Sequence, residues 1–544
     1  MKEKRAYMGK GHQELFCFIG NCVPIKQKEL NARAKFSANS GNAHGRNKAL
    51  CFFLPLCISS KYTIILWSGC GEAALFRKRT EEKPMGRYIG TRDFYKKAFT
   101  IALPIVIQNG ITAFVGMLDN IMVGRIGTDA MSGVAIANQL VFIFNLLIFG
   151  GLSGAGIFGA QFFGKKDYEG VRHATRFKLY MVAILSIAAI AVFYFGKEAL
   201  VSMYLHEGGD VGDPKATLAF GASYLNIMLI NFIPFGIAQV YASTLRECGE
   251  TVLPMRAGMV AVVVNLCLNY VLIYGKLGAP ALGSDGAAIA TVIARFAECA
   301  VIMATVHKNK EKYAYFQGLY RSFRIPGSVI KGICITGLPL LVNETMWSIG
   351  VAAINQGYSY RGLEVIAAIN ITSTITNLFN VIYIAMGSVV AIMVGQLLGA
   401  GKREEAIDTD RKLLVFAVGI TVVIGVVMSL FAGVFPEIYK TEQAVQDLAT
   451  RFILISSLIL PLQAYCHSAY FTMRAGGKTF VTMLFDSVYM WVIVVPTVYI
   501  LSRYTQMPVV WMYLTIQGNE LIKCIIGYFI LRSGSWANNI VEKL

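Results

Sequence analysis

The chain has 544 residues, 55% of them hydrophobic and 15% charged, with a mean hydropathy of +0.55, outside the balance of soluble globular domains. Its formal net charge of +18 would suit a nucleic-acid binder, but beyond residue 84 the basic side chains gather in loops between apolar runs, as in membrane proteins, so no nucleic-acid site is expected. The eleven cysteines show neither zinc-ligand spacing nor a disulfide framework, and Cys267, Cys299 and Cys524 sit inside apolar runs as small hydrophobes.

In chain order, residues 1–84 stand apart. They hold fifteen Lys/Arg against six Asp/Glu and five of the eleven cysteines, show no sustained helical periodicity, and are expected to be a poorly ordered extension. Their best apolar run, Ala49 to Cys70, is broken by Pro55 and Lys61 and begins too far from the N-terminus for a cleaved signal. Met85 opens a basic stretch ending at Lys96-Lys97, directly before the first convincing span; translation is expected to start there.

From Met85 onward the reading gives twelve apolar segments, near 98–121, 133–160, 178–195, 219–243, 255–274, 286–306, 332–354, 366–394, 413–434, 450–471, 480–501 and 509–531. Each approaches the length needed to cross a hydrocarbon core about 30 Å thick. The expected fold is an all-α membrane protein of twelve transmembrane helices. Loops on the N-terminal side carry 25 Lys/Arg, among them Lys165, Lys166, Arg172, Lys402 and Arg403, against eight on the other side. Positive charge is retained in the cytoplasm, so both termini are expected there, which requires an even number of spans. The longest loop of the opposite side, Gly196 to Thr217, holds Glu207, Asp210 and Asp213 and reads as a solvated surface.

The chain repeats itself. LPIVIQNG after Ala102 answers LPLLVNET after Gly337, and one offset of 235 residues superposes Pro104 on Pro339, Asn145 on Asn380, Gln161 on Gln396, Gly164 on Gly399 and Arg176 on Arg411. A second register joins Arg246, Gly249 and Thr251 to Arg474, Gly477 and Thr479. The expected architecture is a six-helix lobe over 85–310 and another over 311–544, related by a pseudo-twofold axis along the membrane normal, with a cavity between them.

The stretch PIVIQNGITAFVGMLDNIMVGRIG, the repeated Gly-Gln/Ala-Gln-x-x-Gly loop, the RECGETVLP and RAGGKT turns, and the ending with Glu520-x-x-Lys523 and Ser535-Trp536 resemble the multidrug and toxic compound extrusion (MATE) family over nearly all of Met85 to Leu544. The resemblance implies an antiporter of the bacterial inner membrane, without cofactor, whose lobes rock between inward- and outward-open states. It would exchange Na⁺ or H⁺ for small organic, often cationic, molecules. A monomer in lipid is expected, and no enzyme activity.

Intramembrane polar residues then become site candidates, because a carboxylate at mid-membrane costs about 2.5–3.5 kcal/mol on insertion scales unless it has a partner or a wet cavity. Asp119, in the first span, is the candidate cation or proton site, at a position where the family carries an aspartate. Asn265 and Asn269, four residues apart, share a helix face and can add oxygen ligands, and Thr291 a hydroxyl. Many family members have aspartate where this chain has Asn269, which leaves Na⁺ or H⁺ open. Glu344 lies five residues past Pro339, about 20 Å into the seventh span, at the repeat position of Asn109, and is a second coupling candidate. Gln108, Asn109 and Asn343 are expected to line the substrate cavity, and Pro104 and Pro339 to bend their helices.

Other polar groups read as structural. Arg295 with Glu298, and Glu520 with Lys523, are i,i+3 pairs that neutralise each other, and Asp486 reaches the cytoplasmic interface. The tenth span offers only Gln463 and His467, so no second-lobe metal site is expected. The nearest alternative function is a lipid-linked oligosaccharide flippase of the same superfamily, which needs several Arg/Lys in its cavity. Away from the span ends, only Arg295 and Lys523 fall inside the spans as read.

Overall fold

The computed structural model describes residues 53–59, 62–67, 75–79, 88–204, 213–439, 441–542 and 544. The chain divides into two units, residues 1–84 and 85–544. In the first, strands β1 (Phe53–Ser59), β2 (Tyr62–Trp67) and β3 (Leu75–Arg79) form an antiparallel sheet in the order β1-β2-β3. Sequence reading expects no regular element here. The β-branched and aromatic run Tyr62-Thr63-Ile64-Ile65 is nevertheless suited to a pleated strand, and it is too short to carry a helical period. The rest of the extension lies outside the described residues.

The second unit consists of twelve long helices: α1 (Arg92–Gly124), α2 (Thr128–Lys165), α3 (Tyr168–Ser202), α4 (Pro214–Glu247), α5 (Val252–Tyr274), α6 (Gly283–Lys308), α7 (Gly327–Ser359), α8 (Leu363–Gly399), α9 (Arg403–Leu430), α10 (Gln443–Ala475), α11 (Thr479–Tyr504) and α12 (Val509–Arg532). The shortest, α5, has 23 residues, which rises about 35 Å and exceeds the hydrocarbon thickness. This is the all-α, twelve-helix membrane fold that the apolar segments imply. The helices overrun those segments at their ends: α3 begins ten residues before 178, so Lys178, at the edge of the segment as read, stands well within the helix.

Helix starts follow local chemistry. Asp167 Oδ1 accepts from Gly170 N at 2.9 Å to cap α3, and Asp213 caps α4 ahead of Pro214 at its first turn, both satisfying backbone donors that a helix leaves free. Glu207 and Asp210 of that loop lie outside the described residues. Pro104 and Pro339 stand inside α1 and α7, which both continue through them.

The internal repeat is written in the backbone as well. Lys166 (φ 64°) and Gly401 (φ 74°), at the 235-residue offset, both adopt the left-handed conformation just after α2 and α8, as do Gly249 (φ 85°) and Gly477 (φ 75°) in the second register. A left-handed lysine is costly, about 1–2 kcal/mol relative to glycine, so Lys166 is held there by the turn that its mate Gly401 enters freely.

Helices α1–α6 and α7–α12 form the two lobes, which meet where α2 packs on α7 and α8, and α8 on α1. Gly154 of α2 lies so close to Gly337 of α7 that a Cβ would strike the opposing backbone. Each lobe has an aromatic core: Phe144 stacks on Phe232 at 4.0 Å in the first, and Phe452 on Tyr513 at 4.1 Å in the second. Ile184, Ile187, Phe195, Val423, Leu458 and Phe529 are exposed on the outside, where a lipid solvent accepts apolar side chains.

Candidate functional site

In the first lobe α1, α5 and α6 bring four of the sequence candidates into one chain of hydrogen bonds. Asn269 Nδ2 donates to Asp119 Oδ1 (2.6 Å) and to Asn265 Oδ1 (3.2 Å), and Asn265 Nδ2 donates to Thr291 Oγ1 (3.2 Å). The i,i+4 spacing of Asn265 and Asn269 aligns their amides on the face of α5 turned to α1. Arg295 acts on Asp119 electrostatically, but its guanidinium is bonded to Glu298 (2.7 Å) and lies over the Phe235 ring at 5.4 Å. The Arg295–Glu298 pair is therefore the one read from sequence. Asn269 Oδ1 is buried and accepts no hydrogen bond. This set of oxygens, one carboxylate with amide and hydroxyl neighbours, fits a hard monovalent cation or a proton. Tyr224, which sequence reading missed, stands beside Asp119 and donates to Asn138 Oδ1 at 3.3 Å.

The second lobe holds its acids differently. Glu344 Oε1 accepts from Tyr470 OH (3.0 Å) and lies 4.0 Å from an Arg474 nitrogen. Asn343 is buried and structural: it donates to Asp486 Oδ2 (3.2 Å), and its Oδ1 accepts from Ser487 Oγ (2.7 Å). Lys523 does not fold back on Glu520. Its Nζ reaches Asp486 Oδ1 (2.7 Å), while Glu520 Oε2 is buried without a hydrogen-bond partner. Asp486, within a π-helical turn, Leu484–Val488, is thus held inside the lobe by Asn343 and Lys523 and not at the interface. Among the described residues no cluster of His, Cys, Asp or Glu could hold a metal.

Between the lobes lies a cavity of 180 Å³ walled by α2, α4, α8 and α10. Phe149, Phe235 and Phe471 line it, with Asn145, Gln239 and Ser243. Its charged residues are Arg246, Glu247 and Arg474. Gln108, Asn109 and Asn343, the cavity residues read from sequence, are not among its walls; Gln108 touches it only by accepting from Arg246 Nη2 at 3.1 Å. Glu247 is bonded by Lys178 Nζ at 2.6 and 2.7 Å. Lys178 is fully buried, a third basic group that the short span at 178–195 hid.

On the N-terminal side the cavity is closed by a crossed pair of contacts that obeys the repeat. Gln161 Nε2 donates to Ala475 O of the other lobe (2.9 Å), and its repeat mate Gln396 donates to Glu247 O (2.8 Å). Gly164 lies against the Gln396 carbonyl and Gly399 against that of Gln161, with no room for a Cβ at either. The C-terminal residues reinforce the closure: Ile540 N donates to Gln161 Oε1 (2.8 Å), and Lys165 Nζ to Val541 O (3.1 Å).

A family model described as MatE matches residues 104–271 and 339–500, the two repeats just described. The chain belongs to this family. Its relatives include a "Probable multidrug resistance protein NorM" of Thermotoga maritima, 22% identical over 82% of this chain and 94% of the relative. Another is a "Probable multidrug resistance protein YoeA" of Bacillus subtilis, 25% identical over 83% and 96%. Among solved structures, the Vibrio cholerae MATE transporter VcmN, an aspartate-to-asparagine mutant, superposes with a TM-score of 0.72 at 18% identity, covering 82% of this chain and 98% of that one. This MATE protein is a multi-pass membrane protein, with twelve helices long and apolar enough to cross a membrane among the described residues. Its Arg246 and Arg474 were legible as a repeat pair in the sequence. Their place at the cavity was not, because both close spans and read as loop residues.

Proposed function

We propose that this chain is a cation-coupled antiporter that exports small organic molecules by alternating access, with its termini in the cytoplasm. The observation that carries the reading is the Asp119–Asn269–Asn265–Thr291 chain, in which a carboxylate without a bonded cation stands beside an orphaned amide oxygen. An arriving Na⁺ or H⁺ supplies the missing positive charge, and the cluster joins α1, α5 and α6, so loading it tightens one lobe around α1. One charge moved across 100 mV is worth about 2.3 kcal/mol, enough to bias the balance between lobe arrangements. The names of the relatives, probable multidrug resistance proteins, support export of small molecules. The aromatic cavity supports an organic substrate, and its 180 Å³ accommodates only part of one, since drug-sized pockets run to about 300–1,000 Å³.

A second reading, a lipid-linked oligosaccharide flippase, draws on Arg246, Arg474 and Lys178, the cavity-side basic groups that sequence reading did not count. The aromatic lining and small volume of the cavity favour the smaller cargo. Everted vesicles under separately imposed Na⁺ and pH gradients test the proposal. Accumulation of an aromatic dye inside the vesicles driven by either gradient is expected, and no response to either gradient would reject coupling.

A further inference from the structure

On the transport reading above, we propose that the interlobe cavity is an anion site: it takes the carboxylate or phosphate group of an aromatic organic acid between Arg246 and Arg474. These arginines occupy equivalent positions in the two repeats and enter one cavity from α4 and α10. A pseudo-twofold axis thus delivers one guanidinium from each lobe, and a bidentate acceptor is the ligand geometry that suits two planar forks.

Among the described residues neither guanidinium is fully satisfied. Arg246 Nε is buried with no hydrogen-bond partner, and the neutral Gln108 is its bonded neighbour at 3.1 Å. The acids near it, Glu247 and Glu298, are held by Lys178 (2.6 Å) and Arg295 (2.7 Å). Arg474 is 6% exposed. It has only long contacts, 3.5 Å to Tyr470 OH and 4.0 Å to Glu344, and lies over the Phe471 and Phe149 rings at 5.1 and 5.5 Å.

Charge bookkeeping over these groups is one-sided. The charged residues that line the cavity are Arg246, Arg474 and Glu247, which leaves one positive charge over at its wall. A monoanion neutralises it, whereas a monocation adds to it in a medium where uncompensated charge is costly. Phe149, Phe235 and Phe471 then cover the apolar body of the ligand, and Asn145, whose buried Oδ1 lacks a donor, accepts from a hydroxyl or N–H on it. Cationic cargo, which the family resemblance implies, is the substrate class this wall disfavours.

The test is calorimetric binding to the purified full chain in phosphatidylcholine nanodiscs, with 1-naphthoate, ethidium and inorganic phosphate as probes. The proposal expects 1-naphthoate to bind more tightly than ethidium. Arg246→Gln and Arg474→Gln should each weaken it about tenfold or more, the magnitude for losing a charge-assisted hydrogen bond, with partial recovery in the Arg→Lys variants. Should either variant misfold, the wild-type preference between 1-naphthoate and ethidium still decides. Tighter ethidium binding, or 1-naphthoate affinity unchanged in both folded Gln variants, would overturn the site. Repeating the titration in phosphatidylglycerol nanodiscs separates the sources of the anion: competition by this lipid points to a headgroup, and its absence to a free acid. Equilibrium binding needs no gradient, so intact binding without gradient-driven efflux would sink the transport reading alone. Coupled ethidium efflux without 1-naphthoate binding would sink the anion site alone.

Discussion

Asp119 in the first lobe and Glu344 in the second are both intramembrane acids, yet the two lobes surround them with opposite chemistry. Asp119 is met by neutral amides and a hydroxyl, and no described cation bonds to it. Glu344 and Asp486 are met by Tyr470, Arg474 and Lys523, so these two acids have counter-charges within their own lobe. A helix pair can hold a buried acid stably with a fixed cation or leave it waiting for a mobile one. On the proposed reading the mobile ion belongs to the first lobe; Lys523→Met and Asn269→Asp test that difference, and two further changes probe the closure and the loop between the lobes.

The largest expected effect is Lys523→Met, which leaves Asp486 buried without its cation. Breaking a buried pair from one side costs about 3–5 kcal/mol, so the purified protein should melt at a clearly lower temperature, and an unchanged melting curve would show that the second lobe does not depend on its pair. Asn269→Asp should sharpen the contrast in the other direction. A second carboxylate beside Asp119 should tighten Na⁺ binding about tenfold, near 1.4 kcal/mol, measured as Na⁺-dependent thermal stabilisation; a loss of Na⁺ stabilisation would count against the cluster as a cation site.

Gln396→Ala removes one of the two crossed hydrogen bonds on the N-terminal side. At about 1 kcal/mol net, it should speed thiol labelling of a Ser388→Cys reporter several-fold, with Gln161→Ala having a like effect if the closure is symmetric. The smallest effect is Lys312→Met, in the loop between the lobes. The Glu250 carboxylate, 2.6 Å away, raises the Lys312 pKa above its usual value. A raised lysine pKa stabilises the fold below the unfolded value, about 10.4, and loses that contribution as pH rises through the folded value. The variant should therefore melt slightly below the wild type at neutral pH and converge with it as pH rises through the raised folded value. Because Lys312 is largely exposed, the difference should be small and vanish in high salt.

Much of this was legible in the sequence where chemistry is local or periodic. Hydropathy revealed the twelve spans because each helix must satisfy its backbone alone in lipid. The 235-residue offset revealed the lobes, and the i,i+4 asparagines with Asp119 and Thr291 revealed the first-lobe cluster. What escaped depended on long-range placement. Lys178 was lost to a span boundary set by hydropathy, although Glu247 neutralises it 69 residues away. Asp486 was given to the interface by its depth in the eleventh span, whereas Lys523 and Asn343 of neighbouring helices hold its carboxylate inside the lobe. Lys523 was paired with Glu520 by spacing, and a neighbouring helix offered a better partner. Gln161 and Gln396 were visible as repeat mates, but which carbonyls they bond is a property of the assembled lobes.

The assignment of coupling to the first lobe is tested most directly by reconstituting wild type, Asp119→Asn and Glu344→Gln in proteoliposomes and comparing gradient-driven transport with substrate exchange at equilibrium. Asp119→Asn should lose the gradient response while still exchanging substrate, and Glu344→Gln should keep the response. Full gradient-driven transport by Asp119→Asn would contradict the account.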